Sequence, residues 1–291
     1  MTEKKRIKRV CAIHDLSAFG RCALTVVMPT LSAMGVQVIP LPTALLSTHT
    51  GGFDDIYAVD LTESMEKMYA HWEKLGVRFD AIYSGFVLSS EQCAVISDFR
   101  RRFAKDGCIV ITDPVFADDG EFYSTCTKEI ANEMRTLCKG SDIITPNLTE
   151  ACELVGESFV NTEKMSEAEL REFVSALLLK LSALGAKKIA ITGIPTTLDC
   201  APAVATAAID LAKEQSEPFF VTLPRLDARY HGTGELFASV LIGKLLGGAQ
   251  FEDAVDSASR FVRDTVDMST EYPTPIREGV ALEAALGNLI K

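Results

Sequence analysis

What this 291-residue chain lacks narrows its class before any motif is read. It has no CxxC pair and no cysteine–histidine cluster at zinc-ligand spacing; its eight cysteines (Cys11, Cys22, Cys93, Cys108, Cys126, Cys138, Cys152 and Cys200) are dispersed. That excludes a zinc module or a disulfide-stapled fold. Scattered thiols of this kind fill small apolar slots in a reducing compartment, so a cytoplasmic protein is expected. No stretch reaches the roughly 18 uninterrupted apolar residues of a membrane span, and residues 1–9 form a short basic tail rather than an apolar leader. Positive charge is scarce: 29 Lys and Arg against 40 Asp and Glu leave a formal net charge of −11, which argues against a nucleic-acid surface. The Arg100-Arg101-Arg102 run sits in a helical pattern and reads as a solvated face. Low-complexity tracts, repeats and linkers are missing too, so residues 1–291 are expected to form one domain, as α/β folds of this length often do.

What is present is a repeated strand–loop–helix order. Buried strands are expected at 9–14, 36–41, 81–83, 108–112, 142–145 and 188–192. Helices are expected at 22–34, 61–75, 90–105, 127–138, 147–155 and 166–184. Residues 15–21 and 42–60 read as polar loops, the second long enough to be a binding loop or lid. Residues 203–210 and 218–223 look like an antiparallel pair, and further helices open near Gly232 and Phe251. This alternation predicts a three-layer α/β/α fold around a mostly parallel sheet.

In such sheets ligands sit beyond the carboxyl ends of the strands. Polar residues gather at those ends: Asp15 and Ser17, Ser47 to Gly52, Ser84-Gly85, Asp113, Thr145 to Glu150, Thr192-Gly193 and His231 to Glu235. At Gly232-Thr233-Gly234-Glu235 two glycines around a threonine open an apolar helix. Unobstructed backbone N–H groups and the helix dipole would make an anion hole there. A first-turn carboxylate could take a proton from a hydroxyl attacking that anion. An ordinary helix start with a favourable Glu explains the same residues. Asn147-Leu148-Thr149-Glu150 likewise suits either Mg²⁺ held through water or a capping box. The chain has no GxxxxGK[ST], which excludes a P-loop kinase, and 232–234 is too short for a dinucleotide GxGxxG.

Residues 12–17 (Ala-Ile-His-Asp-Leu-Ser), Leu45-Leu46-Ser47-Thr48-His49-Thr50-Gly51, Ser84-Gly85-Phe86, Asp113-Pro114-Val115, Asp142-Ile143-Ile144-Thr145-Pro146-Asn147-Leu148-Thr149-Glu150 and Gly232-Thr233-Gly234-Glu235 follow one another as in the ribokinase superfamily. The whole chain resembles that superfamily, and most closely its pyridoxal kinases. The resemblance implies ATP-dependent phosphorylation of the hydroxymethyl group of pyridoxal and related vitamin B6 alcohols, a salvage reaction. ATP and Mg²⁺ are the implied cofactors, with a monovalent cation such as K⁺ as a further candidate, and a homodimer is implied. Glu235 would be the catalytic base, and the amides of Gly232, Thr233 and Gly234 would hold the γ-phosphate. Asp113, Asn147 and Glu150 would organise Mg²⁺, and Thr145 and Thr192 would contact ATP. Thr43, Ser47, His49, Thr50 and Phe86 would line the pyridine pocket, with Asp15 or Ser17 on the ring's polar edge, and the loop 118–123 would close as a lid.

Two departures stand out. The superfamily's base is normally Asp, and here it is Glu235; a misplacement of about 1 Å can cost ~10²-fold in rate. Asp15-x-Ser17 resembles the hydroxymethylpyrimidine kinase branch, so a kinase of that thiamine precursor is the alternative. A non-catalytic vitamin-binding protein is the reading of another class.

Overall fold

The computed structural model describes residues 6–290. Along the chain come β1 (Arg9–Ile13), β2 (Leu16–Phe19), α1 (Leu24–Ala33), β3 (Gln37–Pro40), β4 (Ala44–Thr48), β5 (Ala58–Asp60) and α2 (Thr62–Lys74). Then follow β6 (Ala81–Ser84), α3 (Ser90–Phe103), β7 (Ile109–Thr112), β8 (Ala117–Asp118), β9 (Glu121–Phe122), α4 (Lys128–Lys139), β10 (Ile143–Ile144), α5 (Leu148–Val155) and α6 (Glu167–Ser182). The last part holds β11 (Lys188–Leu198), β12 (Ala201–Asp210), β13 (Phe219–Pro224), α7 (Thr233–Leu246), α8 (Phe251–Ser269) and α9 (Leu282–Ala285).

Eight strands form the central sheet in the order β13-β12-β11-β10-β7-β6-β1-β3. From β3 to β11 every pairing is parallel, and β12 and β13 close the far edge antiparallel. Helices cover both faces because each strand feeds two cores. In β1, Cys11 and Ile13 face the core under α2–α6, while Val10 and Ala12 face the one under α1, α7 and α8. The fold is the expected three-layer α/β/α. The chain leaves β1 for β3 on one side and returns as β6 on the other, so a crevice opens beyond the carboxyl ends of β1 and β6. Among the described residues no helix is long and apolar enough to cross a membrane.

The two expected polar loops are not simply loops. Residues 15–21 contain β2, and 42–60 contain β4 and β5, which together make a second sheet ordered β2-β4-β5. β4 alternates in burial, with Leu46 buried between the exposed Leu45 and Ser47, but the run Ala44-Leu45-Leu46-Ser47-Thr48 does not alternate in polarity, so the sequence carried no local signal for it. β11 runs on to Leu198, past the expected end, through a break in register between Ile191 and Ile194. Thr192 and Gly193 fall in that bulge, which turns them towards the crevice.

Arg100 corrects the reading of its run as a solvated face: it is buried at the base of α3. Its guanidinium donates to the Leu137 carbonyl (2.8 Å), the Ser84 hydroxyl (2.6 Å) and the Thr112 hydroxyl (2.7 Å), tying together the last residues of β6 and β7. Gln92, also buried in α3, anchors the second sheet. Its amide NH₂ donates to the Thr43 carbonyl (2.8 Å), Asp60 (3.3 Å) and Thr62 (3.1 Å), and its carbonyl accepts from the Leu88 N–H (2.8 Å).

Candidate active site

One continuous cleft of about 380 Å³ lies along the carboxyl ends of the central strands and under the second sheet. Its middle is built on the start of α7. Gly232 is the N-cap residue, left-handed at φ 82°, and no side chain caps the helix. A Cβ at Gly232 would lie 2.5 Å from the Arg21 carbonyl oxygen, so only glycine lets the loop before α1 approach. First-turn amides lack intrahelical acceptors, and here they open on the cleft beside Thr233 and Gly234. Glu235, in the same turn, is 8% exposed, and its Oε1 accepts from the Ala23 N–H (3.3 Å) and the Cys22 thiol (3.3 Å).

Asp113 follows β7 and is buried opposite this turn. It accepts from the Thr145 hydroxyl (2.9 Å) and the Tyr83 hydroxyl (3.2 Å). Burial, and then the charge of Glu235, push its carboxyl up to about 7 despite both bonds. Burial also pushes Asp15 up to about 7, against the Ser17 hydroxyl bond (2.7 Å) and with a smaller upward push from Glu235. Glu150 is raised well above the usual carboxylate range, by burial first and then by Asp113. Glu235 thus acts on Asp113, Asp113 acts on Glu150, and no cation among the described residues is one of the groups acting on either, so Mg²⁺ fits the donor set around Asp113 and Glu150. Among the described residues no three His, Cys, Asp or Glu converge tightly enough to hold an ion unaided. Phosphate oxygens and water would complete its shell.

Asn147 and Glu150 form the capping box that the sequence left open as an alternative. Asn147 Oδ1 accepts from the Glu150 N–H, and its Nδ2 donates to the Ala117 carbonyl (2.7 Å), which occupies both polar atoms of the side chain. Glu150 accepts from the N–H groups of Asn147 (2.9 Å) and Phe116 (3.1 Å), fastening α5 to the segment entering the β8–β9 hairpin. That hairpin is the expected lid, and Asp118 and Tyr123 border the cleft.

At the second-sheet end, His49 Nδ1 accepts from the Gly51 N–H (3.1 Å), so Nε2 carries the proton and donates to the Arg277 carbonyl (2.6 Å). His49 stands 4.7 Å from His231 and edge-on to Phe53. Thr50, Gly51, Leu46 and Phe86 complete that end. Phe86 also belongs to the core, as an aromatic after a strand often does.

Most of the expected site residues therefore meet in one cleft: Asp15, His49, Thr50, Phe86, Asp113, Thr145, Asn147, Glu150, Thr192 and 232–235. Three do not border it. Ser47 faces solvent, because the two-residue period of β4 puts it opposite Leu46, and its hydroxyl accepts the Tyr57 N–H. Thr43 is buried behind the wall and donates to the Phe86 carbonyl, and Ser17 reaches the cleft only through Asp15. Sequence reasoning missed Cys22 and the apolar far end formed by Val204, Val221, Leu223, Val262 and Val266, and it reached Tyr123 and His231 only as parts of the lid and of the strand-end cluster 231–235. The alternation in β13 carried a signal for Val221 and Leu223, but not for which face would line a cavity, and Val262 and Val266 come from α8.

The family profile described as phosphomethylpyrimidine kinase matches residues 28–277. A Bacteroides thetaiotaomicron structure named for a phosphomethylpyrimidine kinase, in a crystal form with pyridoxal, is 38% identical with a TM-score of 0.89, over 98% of this chain and 96% of that one. Pyridoxal kinase from Lactobacillus plantarum is 29% identical with a TM-score of 0.84, over 98% and 97% of the two chains. The pyridoxine/pyridoxal/pyridoxamine kinase of Bordetella avium is 28% identical over 87% of this chain and 82% of its own.

Proposed function

This chain belongs to the phosphomethylpyrimidine kinase family, whose members are phosphotransferases with an alcohol acceptor, and we propose that it phosphorylates the hydroxymethyl group of pyridoxal and related vitamin B6 alcohols at the expense of ATP. The observation that carries this reading is the second-sheet end of the cleft. His49, Thr50 and Gly51 stand there with Phe86, on the side of Asp15, and the uncapped start of α7 lies beyond them. A flat, polar-edged aromatic ring suits a pocket of imidazole, hydroxyl and phenyl groups. A sugar would call for more carboxylate and amide partners.

In this reading the nucleotide lies along β11–β13, with its base against the valine-lined end and its phosphates near Thr145 and Thr192. The γ-phosphate meets the backbone amides at 232–234, whose dipoles favour the charge of the transferring group. Asp15 holds the polar edge of the ring. Glu235 accepts the proton of the attacking hydroxyl as the phosphoryl group moves in line. Asp113 and Glu150 would hold Mg²⁺ through water, and the ion would supply charge neutralisation at the phosphates. The β8–β9 hairpin closes over the reacting groups and excludes water. Residues 1–291 act as one cytoplasmic kinase domain that pairs as a homodimer.

A second reading rests on Asp15 and Ser17, whose 2.7 Å bond presents a carboxylate to the cleft. A carboxylate there would also suit the amino group of hydroxymethylpyrimidine. The test is ADP release with Mg·ATP and a panel of pyridoxal, pyridoxine, pyridoxamine, hydroxymethylpyrimidine and ribose. Pyridoxal or another B6 alcohol is expected to give the highest kcat/KM. A preference for the pyrimidine would transfer the assignment to the second reading.

A further inference from the structure

The loop that opens α1 reaches across the cleft to Glu235, and neither a substrate pocket nor an anion hole requires it to. Ala23, the N-cap residue of α1, has φ 50° and ψ −129°, a region that residues with a Cβ rarely adopt. Such a conformation persists only where the surroundings over-determine it. Here they do. The Leu24 N–H is bound by the Asp15 carbonyl (3.2 Å), and the Cys22 N–H by the Thr25 hydroxyl (3.1 Å). Arg21 is held by the Glu278 carbonyl (2.8 Å) and packed against both Gly232 and Gly279, neither of which has room for a Cβ. The result is a rigid pair of donors, the Ala23 N–H and the Cys22 thiol, each 3.3 Å from the same oxygen, Glu235 Oε1.

We propose that Cys22 and Ala23 form a positioning cradle for Glu235, fixing the carboxylate through Oε1 so that Oε2 receives the proton of the substrate hydroxyl. The proposal rests on Glu235 being the base. Among the described residues Oε2 has no protein donor, so it is the oxygen available to a ligand. Burial keeps the Cys22 thiol protonated, with Glu235 and Asp15 adding to the effect, so the sulfur acts as a donor and not as a nucleophile. The cradle also explains how a glutamate serves at this turn. Its extra methylene spans the gap to α1, and the opening of α1 then removes the freedom that the longer side chain adds.

Five variants assayed by single-turnover phosphoryl transfer from Mg·ATP to the best alcohol of the panel test this, with thermal melts confirming folding. Glu235→Gln should lower kcat by ~10²–10⁴-fold. If it transfers normally, the base assignment fails and takes the cradle with it. Given that loss, Cys22→Ala should lower kcat by ~10-fold or more with KM for the alcohol little changed, as misplacement of the base by a fraction of an ångström would do. Cys22→Ser, which keeps a donor, should recover most of the rate. Equal rates for Cys22→Ala and Cys22→Ser, whether both normal or both impaired, would overturn the proposal. In the Glu235→Asp background, where the carboxylate is withdrawn from Oε1's place, Cys22→Ala should cost little more, a non-additivity that general loosening of the fold would not produce. Should Cys22→Ala fail to fold, Cys22→Val, larger and without a strong donor, replaces it against Cys22→Ser.

Discussion

A single buried carboxylate records how much negative charge the start of α7 and the end of β7 concentrate. Asp113 titrates near 7, well above a free aspartate, because burial and Glu235 both disfavour its charge. A raised carboxylate contributes stability that is present in acid, below its unfolded pKa of ~4, and is lost as pH rises through its folded value near 7. Asp113→Asn removes that burden. Without ligands, the variant is expected to melt higher than the parent at pH 8, by the equivalent of ~1–3 kcal/mol, with the difference closing towards pH 5. A pH-independent difference in melting temperature would show that the charge of Asp113 is not what is being relieved. At this scale the sequence was informative about residue types and poor on aim. Asp15, His49 and Asp113 point where their place at strand ends suggested, whereas Ser47 and Thr43 do not. One residue of register in β4 decides between cleft and solvent, and no composition argument contains that register.

At the scale of elements, both readings of 147–150 describe the same atoms. The capping box is complete, and Glu150 also binds the backbone that leads into the β8–β9 hairpin. Glu150→Gln would set an amide NH₂ against one of the backbone N–H groups that its two oxygens serve, and should therefore cost ~1–3 kcal/mol of stability besides raising the Mg²⁺ concentration needed for phosphoryl transfer. Melting curves and Mg²⁺ titrations of the purified variant separate the two effects. A lower melting temperature with an unaltered Mg²⁺ response would leave only the structural role. The long helices and central strands were legible because their hydrophobic periods and glycine stops are local. The sheet made of β2, β4 and β5 was not, since three short strands drawn from 16 to 60 are stabilised by pairing that no local pattern specifies.

Across the whole molecule, that second sheet leaves Leu45 41% and Tyr57 69% exposed on the face away from the cleft. A second copy is the expected cover. Leu45→Glu should convert a dimer into monomers, read by sedimentation equilibrium or light scattering, with the melting temperature of the protomer little changed. A monomeric parent would remove the dimer from the account. The inner side of the same sheet depends on Gln92, whose four contacts tie α3 to Thr43, Asp60, Thr62 and Leu88. Leucine at 92 would strand the half-buried Leu88 N–H, at ~1 kcal/mol, and strip a donor from the buried Thr43 carbonyl. Glutamate would set a negative charge against that carbonyl and against Asp60. Neither the apolar nor the charged neighbour of glutamine in shape can take its place. In a library of random substitutions selected for folded protein, position 92 should thus tolerate as few amino acids as a packed phenylalanine: an inherited constraint exerted on a polar letter.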